Sequence, residues 1–110
     1  MTVKAEDVLK ELATIQKEAS EYGENVVTRA HFVNNTIVID LISVPVMLRR
    51  QGIGHHILNE YQNVAYGFNI PLILDADSCF GTPPAALHNF YTSAGFRLIK
   101  GTKYRYIPTR

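Results

Sequence analysis

Thr36-Ile37-Val38-Ile39-Asp40-Leu41-Ile42-Ser43-Val44, followed by Pro45-Val46-Met47-Leu48-Arg49-Arg50-Gln51-Gly52-Ile53-Gly54, is the stretch that decides the fold. The first part is rich in β-branched and aliphatic side chains and reads as a strand. Only Asp40 and Ser43 interrupt its apolar character, which predicts a central strand covered on both faces. The second part leads through two glycines into a helix whose apolar face is Ile57, Leu58, Tyr61, Val64, Ala65 and Phe68, with closure near Gly67. A strand that turns directly into a helix leaves backbone N–H groups at the helix start without intrahelical partners. Such a start favours anions, and the glycines let a pyrophosphate approach the backbone. Arg49 and Arg50 can add side-chain contacts to phosphate. The spacing lacks the Gly-Lys-Ser/Thr of nucleotide hydrolases and the three glycines of the dinucleotide fingerprint.

Upstream, Val26 to Val33 reads as a second strand joined by Asn34-Asn35, a pair that tolerates the positive φ of a tight hairpin. Before it, Ala5, Val8, Leu12, Ile15, Ala19 and Tyr22 recur at helical spacing, with Gly23 as the stop. Downstream, Pro71 to Ala76 is a short buried strand. Thr82 offers an N-cap hydroxyl and Pro83 a first helical position, with Leu87, Phe90, Tyr91 and Ala94 as the inner stripe. Gly95 supplies the left-handed exit, which lets Phe96 pack back on Tyr91. Phe96–Lys100 and Lys103–Ile107 form a closing strand pair around Gly101. The predicted order is α-β-β-α-β-α-β-β, an α/β fold with a mixed α+β sheet in a single domain over residues 1–110.

Composition agrees with one globular domain: 110 residues, 46% hydrophobic, net charge +1. No apolar run approaches the ~18–20 residues of a bilayer crossing, and the N-terminal residues lack the order of a secretory signal, so a cytoplasmic location and no membrane partner are expected. The lone Cys79 excludes an intramolecular disulfide and a cysteine-based zinc cluster. Residues 1–24 carry three lysines against six carboxylates, net −3, and residues 25–110 eight basic against four acidic groups, net +4. A basic body admits an anionic partner without requiring nucleic acid, and ordinary solvated surface explains the asymmetry equally well.

Residues Ile37–Leu58, with Leu87–Phe96, resemble the GCN5-related N-acetyltransferase superfamily. Its acyl-CoA signature, Gln/Arg-x-x-Gly-x-Gly/Ala, is matched by Arg49, Gly52 and Gly54 after the expected apolar strand. Its aromatic-Tyr-x-x-x-Gly-Phe landmark is matched by Phe90, Tyr91, Gly95 and Phe96. The resemblance covers residues 25–107 and implies that acetyl-CoA lies in a V-shaped opening between two parallel strands. Main-chain groups of Ile42, Ser43 and Val44 would then bond the pantetheine arm. Arg49, Arg50, Gln51, Gly52, Ile53, Gly54 and His55 would hold the pyrophosphate, with the thioester near Asp40. No metal is implied.

Within that frame Asp40, a carboxylate in an apolar strand, is the candidate base, since desolvation would suit it to accept a proton from an ammonium. Satisfying a donor at the strand's bend is its alternative role. Tyr91 matches the family tyrosine that approaches the CoA sulfur and is the candidate acid, with plain core packing as its alternative. His55 and His56 are adjacent and point in different directions; His31 and His88 read as structural, and Cys79 as an apolar filler. Asp75 and Asp77 flank a strand end and either contact an acceptor amine or cap a loop.

Two departures stand out. Pro84 occupies the place of a family Asn that touches the cofactor, leaving Ser78 or Thr82 to substitute. Only one helix and one strand precede the central strand, so the acceptor side is open to a macromolecule, completed by a homodimer, or vestigial. In Lys103-Tyr104-Arg105-Tyr106 basic and aromatic residues alternate, giving one cationic and one aromatic strand face. The expected activity is direct acetyl transfer from acetyl-CoA to an amine. The alternatives are a non-catalytic binding or regulatory protein of the same fold, and a nucleobase-modifying enzyme drawn to nucleic acid by the basic strands.

Overall fold

A computed structural model describes residues 3–48, 51–75, 84–101 and 103–108, with residues 84–87 described by their place in a helix alone. The elements are α1 (Ala5–Ala19), β1 (Val27–Val33), β2 (Thr36–Ser43), α2 (Ile53–Phe68), β3 (Leu72–Asp75), α3 (Pro84–Ser93), β4 (Arg97–Lys100) and β5 (Lys103–Tyr106). Short 3₁₀ turns follow α1 at Ser20–Tyr22 and precede α2 at Val46–Leu48. The strands form one five-stranded mixed sheet in the order β1-β2-β3-β5-β4, in which β2 and β3 are parallel and the remaining neighbours antiparallel. The element order is the one predicted from periodicity.

Local chemistry explains the turns. Asn34 and Asn35 adopt φ of 51° and 57°, the pair of left-handed residues that matches the twist of a two-residue hairpin. Helix α3 ends in a Schellman motif: Phe96 N donates to Tyr91 O at 3.0 Å and Gly95 N to Thr92 O at 3.1 Å, with Gly95 at φ 95°. Helix α2 ends the same way, but at Asn69 rather than at Gly67. Asn69 takes φ 56° and Ile70 N donates to Ala65 O at 3.0 Å. Gly67 lies inside the helix, where its missing Cβ faces open space and supplies no exit.

All three helices lie on one face of the sheet. Helix α1 buries Val8, Leu12, Ile15 and Ala19, and α2 buries Ile53, Ile57, Leu58, Tyr61 and Ala65, against Ile37, Ile39, Ile42, Leu72 and Leu74. Helix α3 brings Tyr91 onto Tyr104 of β5, ring centroids 4.9 Å apart. Gln62 Nε2 donates to Ala94 O at 2.6 Å, tying α2 to the end of α3. The other face has no covering element among the described residues. The expectation that β2 is covered on both sides is therefore corrected: Ile37, Ile39 and Ile42 are buried, while Val38, Leu41 and Ser43 are half-buried and Asp40 is exposed. Its continuous apolar sequence comes from a change of phase, not from a second layer.

That change of phase is a β-bulge. Ala30 stands opposite Ile39, yet Arg29 stands opposite Leu41, so Asp40 is an extra residue in β2. The insertion moves Ile42 and Val44 onto the helix-facing side already used by Ile37 and Ile39. At the far edge, β4 and β5 place like charges directly opposite, Arg97 against Arg105 and Lys100 against Lys103.

The 3₁₀ turn after α1 is held to α2 by Tyr22, whose hydroxyl donates to the Glu60 carboxylate. This bond, reinforced by partial burial and the nearby Glu60 charge, pushes the phenol from 10.0 up to about 12. Since the folded value lies above the unfolded one, this contribution to stability is complete below about pH 10 and is lost as pH rises through about 12. Tyr22→Phe is expected to lower stability at neutral pH and to reduce the loss between pH 10 and 12, as read from denaturant midpoints across that range.

Candidate functional site

The site is built where β2 leaves its parallel partner. Among the described residues the ladder pairs Ile37 with Leu72, Val38 with Ile73 and Ile39 with Leu74. Strand β2 runs on through Ser43, and among the described residues Leu41, Ile42 and Ser43 pair with β1 alone. The bulge at Asp40 follows the last of these pairings among the described residues, and the strand bends there.

A buried hydroxyl pair pins the bulge. Thr28 Oγ1 donates to Leu41 O at 2.8 Å, and Tyr61 Oη lies 2.7 Å from the same Thr28 oxygen. The single Thr28 proton is used on the carbonyl, so the Tyr61 hydroxyl donates to Thr28. Tyr61 is fully buried and Thr28 nearly so. Helix α2 thus fixes the carbonyl beside the bulge through two hydrogen bonds in series.

Asp40 projects from the bulge onto the uncovered face. Its Oδ2 lies 2.8 Å from His31 Nδ1, and the two side chains are 46% and 51% exposed. The desolvation expected of Asp40 is absent; it is a half-exposed carboxylate bound to an imidazole. His31, read from sequence as structural, stands beside the candidate base. Periodicity already placed His31 and Asp40 on paired strands, but only the bulged register shows that they meet.

Past β2 the chain passes the 3₁₀ turn, where Leu48 lies so close to Gly23 that a Cβ on the glycine would collide with it. Helix α2 then opens on Gly52, φ 77° and ψ 9°, with no side-chain cap. The first α-helical bond runs from His56 N to Gly52 O at 2.9 Å. The N–H groups of Ile53, Gly54 and His55 precede that bond and belong to the first turn, which has no intrahelical acceptors. Gln51, Gly52 and His55 are exposed, Gly54 is half-buried and Ile53 is buried. A Cβ on Gly52 would meet nothing within 4 Å, so the space over the turn is open. Arg49 and Arg50 lie outside the described residues, as do Asp77, Ser78, Cys79 and Thr82.

The two histidines at the helix start diverge as expected. His55 meets Phe90 of α3 edge-on at 5.7 Å, and His56 faces Tyr22 at 6.2 Å. Tyr91 is fully buried among Tyr104, Phe90 and Phe96, with centroids 4.9, 5.5 and 6.2 Å away. His88 Nδ1 lies 2.7 Å from Tyr104 Oη, consistent with its structural reading. Lys103 and Arg105 are exposed on the uncovered face, while Tyr104 and Tyr106 point toward the helices, so the predicted split of β5 is real. Its aromatic half is core, and Tyr104 presents no ring for a nucleobase to stack on.

No protein-family model matches the chain, and no curated protein matches it in sequence. Among solved structures it is similar to the crystal structure of the anti-CRISPR protein AcrVA5, with a TM-score of 0.55 and 25% sequence identity. The match covers 72% of this chain and 86% of that one.

Thr28→Val removes the hydroxyl that holds the bulge and takes one hydrogen bond each from the Leu41 carbonyl and the Tyr61 hydroxyl. The expected cost is about 1–3 kcal/mol. Denaturant unfolding checks it, with Tyr61→Phe expected to cost less because Thr28 keeps its bond to Leu41.

Proposed function

We propose that this protein is an acetyl-CoA-dependent N-acetyltransferase of the GCN5-related fold that transfers an acetyl group directly to an amine. One observation carries the reading: among the described residues the last parallel pair, Ile39 with Leu74, comes just where β2 bulges, and β2 then leads to a helix opening on Gly52 in the left-handed region. A long ligand with amides at one end and phosphates at the other matches a strand that among these residues outruns its partner and a helix start with exposed glycine. The residues fit such a ligand. Gly52 has open space above it, and Gln51, Gly54 and His55 lie around the same turn. In this reading Arg49 and Arg50 join Gln51, Gly52, Ile53, Gly54 and His55 at the pyrophosphate, and the main chain of Ile42, Ser43 and Val44 takes the pantetheine amides.

When bound, acetyl-CoA supplies an acyl carbonyl activated on sulfur. The chain's own part is to orient that carbonyl, free the acceptor amine of a proton, and quench the departing sulfur. Asp40 marks the reacting end of β2, and the exposed sheet face beside it gives an acceptor room. Tyr91 is the donor to sulfur; buried under α3, its phenol is shielded from bulk water, so its proton goes to a group lodged beside it.

A second reading, action by binding a macromolecule, draws on two observations. The similar AcrVA5 is named an anti-CRISPR protein, and the uncovered face of β4 and β5 carries Arg97, Lys100, Lys103 and Arg105. The two readings separate by turnover.

Acetyl-CoA is expected to raise the melting temperature in proportion to the logarithm of its concentration above the dissociation constant. Gly52→Glu is expected to abolish that rise. The variant remains folded, since its side chain enters open space and the left-handed φ costs only about 1–2 kcal/mol. Tyr91→Phe is expected to slow thiol release about 10²-fold or more while leaving the acetyl-CoA shift in place. A melting temperature indifferent to acetyl-CoA would overturn the assignment.

A further inference from the structure

We propose that His31, oriented by Asp40, is the group that takes the proton from the acceptor amine; this rests on the acetyl-transfer reading and assigns a catalytic residue to it. Strand β1 places His31 opposite Val38, and Asp40 lies diagonally across on the same uncovered face. The 2.8 Å contact joins Asp40 Oδ2 to His31 Nδ1. An ionised carboxylate accepts hydrogen bonds and donates none, so Nδ1 must carry a proton. In the neutral ring that leaves Nε2 as a bare lone pair. The carboxylate therefore selects the tautomer, fixes the ring plane and stabilises the imidazolium that forms when Nε2 is protonated.

The division of labour follows from basicity. An ordinary imidazole is about 2.6 pKa units more basic than an ordinary aspartate, so taking a proton from an ammonium is roughly 400-fold less uphill. Asp40 is half exposed and already engaged by the imidazole. It is better suited to hold a base than to be one.

The charged neighbours on this face are Arg29, two residues before His31 on β1, and Asp75 on β3, with Arg105 and Lys103 beyond it on β5. Among the described residues no helix packs on this side and no further titratable group faces the ring from above. Acceptor and solvent both reach Nε2.

The step balances as follows. The acceptor ammonium gives one proton to His31 Nε2. The freed nitrogen lone pair forms the C–N bond while the C–S bond breaks, and sulfur keeps that electron pair. Tyr91 gives its proton to sulfur, the second nitrogen proton restores the phenol, and the imidazolium later releases its proton to water. His31 is thus a catalytic residue, and Asp40 a positioning residue acting through it.

The test has two arms on the full chain. Long-range ¹⁵N–¹H NMR of the imidazole at pH 8 is expected to show the Nδ1–H tautomer in the wild type and a mixed population in Asp40→Asn. An Nε2–H tautomer, or one unchanged by Asp40→Asn, overturns the assignment. In thiol-release assays with acetyl-CoA and a panel of spermidine, Nα-acetyl-lysine and lysine peptides, His31→Gln is expected to lower kcat about 10²-fold or more and to remove the acidic limb of the pH profile. Asp40→Asn is expected to lower kcat less than His31→Gln does. Both variants should keep the thermal shift with acetyl-CoA. A wild type that neither binds acetyl-CoA nor turns it over overturns the acetyl-transfer reading itself. A wild type that transfers, with His31→Gln matching its rate and pH limb, overturns the role of His31 alone.

Discussion

The extra residue in β2 governs the rest of the molecule. Strict alternation from Ile37 and Ile39 would bring Leu41 and Ser43 under the helices and turn Ile42 and Val44 outward. The bulge reverses this, so one strand buries Ile37, Ile39, Ile42 and Val44 on the same side. It also bends β2 after the last β3 pairing among the described residues and turns Asp40 toward His31. The Tyr61–Thr28–Leu41 chain of hydrogen bonds holds it, so helix α2 fixes both ends of the site: the bulge through Tyr61 and the turn through Gly52.

Much of the fold is legible in the sequence because its cues are local. The stripe Val8, Leu12, Ile15, Ala19 needs only helical spacing. Asn34-Asn35 needs only two residues that tolerate positive φ, and Gly95-Phe96 follows from C-cap stereochemistry. Gly67 misled as a helix end because glycine is only one of two residues suited to the left-handed exit, and Asn69 fills that role two positions later. The face covered by the helices was not legible in β2. A phase shift inside an apolar strand looks in sequence like continuous burial, since both faces contribute aliphatic residues on either side of the bulge.

The candidate site divides in the same way. Gly52 was legible because a glycine between a strand and a helix answers a local conformational demand, and the structure gives it φ 77°. His31 was not, because nothing within nine residues of chain relates it to Asp40; the relation exists only across two strands in a register that a single inserted residue defines. Tyr91 was legible in position, since its stripe predicts the buried ring, but spacing alone does not separate a packing phenol from a proton donor.

The last strand pair bears on how copies of this sheet meet. Arg97 against Arg105 and Lys100 against Lys103 concentrate four cations along the β4 border. A second molecule docking strand to strand there, edge to like edge, would set four positive groups, Arg97 and Lys100 of each copy, across one ladder spacing, with Arg105 and Lys103 one strand further back. Self-association through that border is opposed by like-charge repulsion, which weakens as salt screens it.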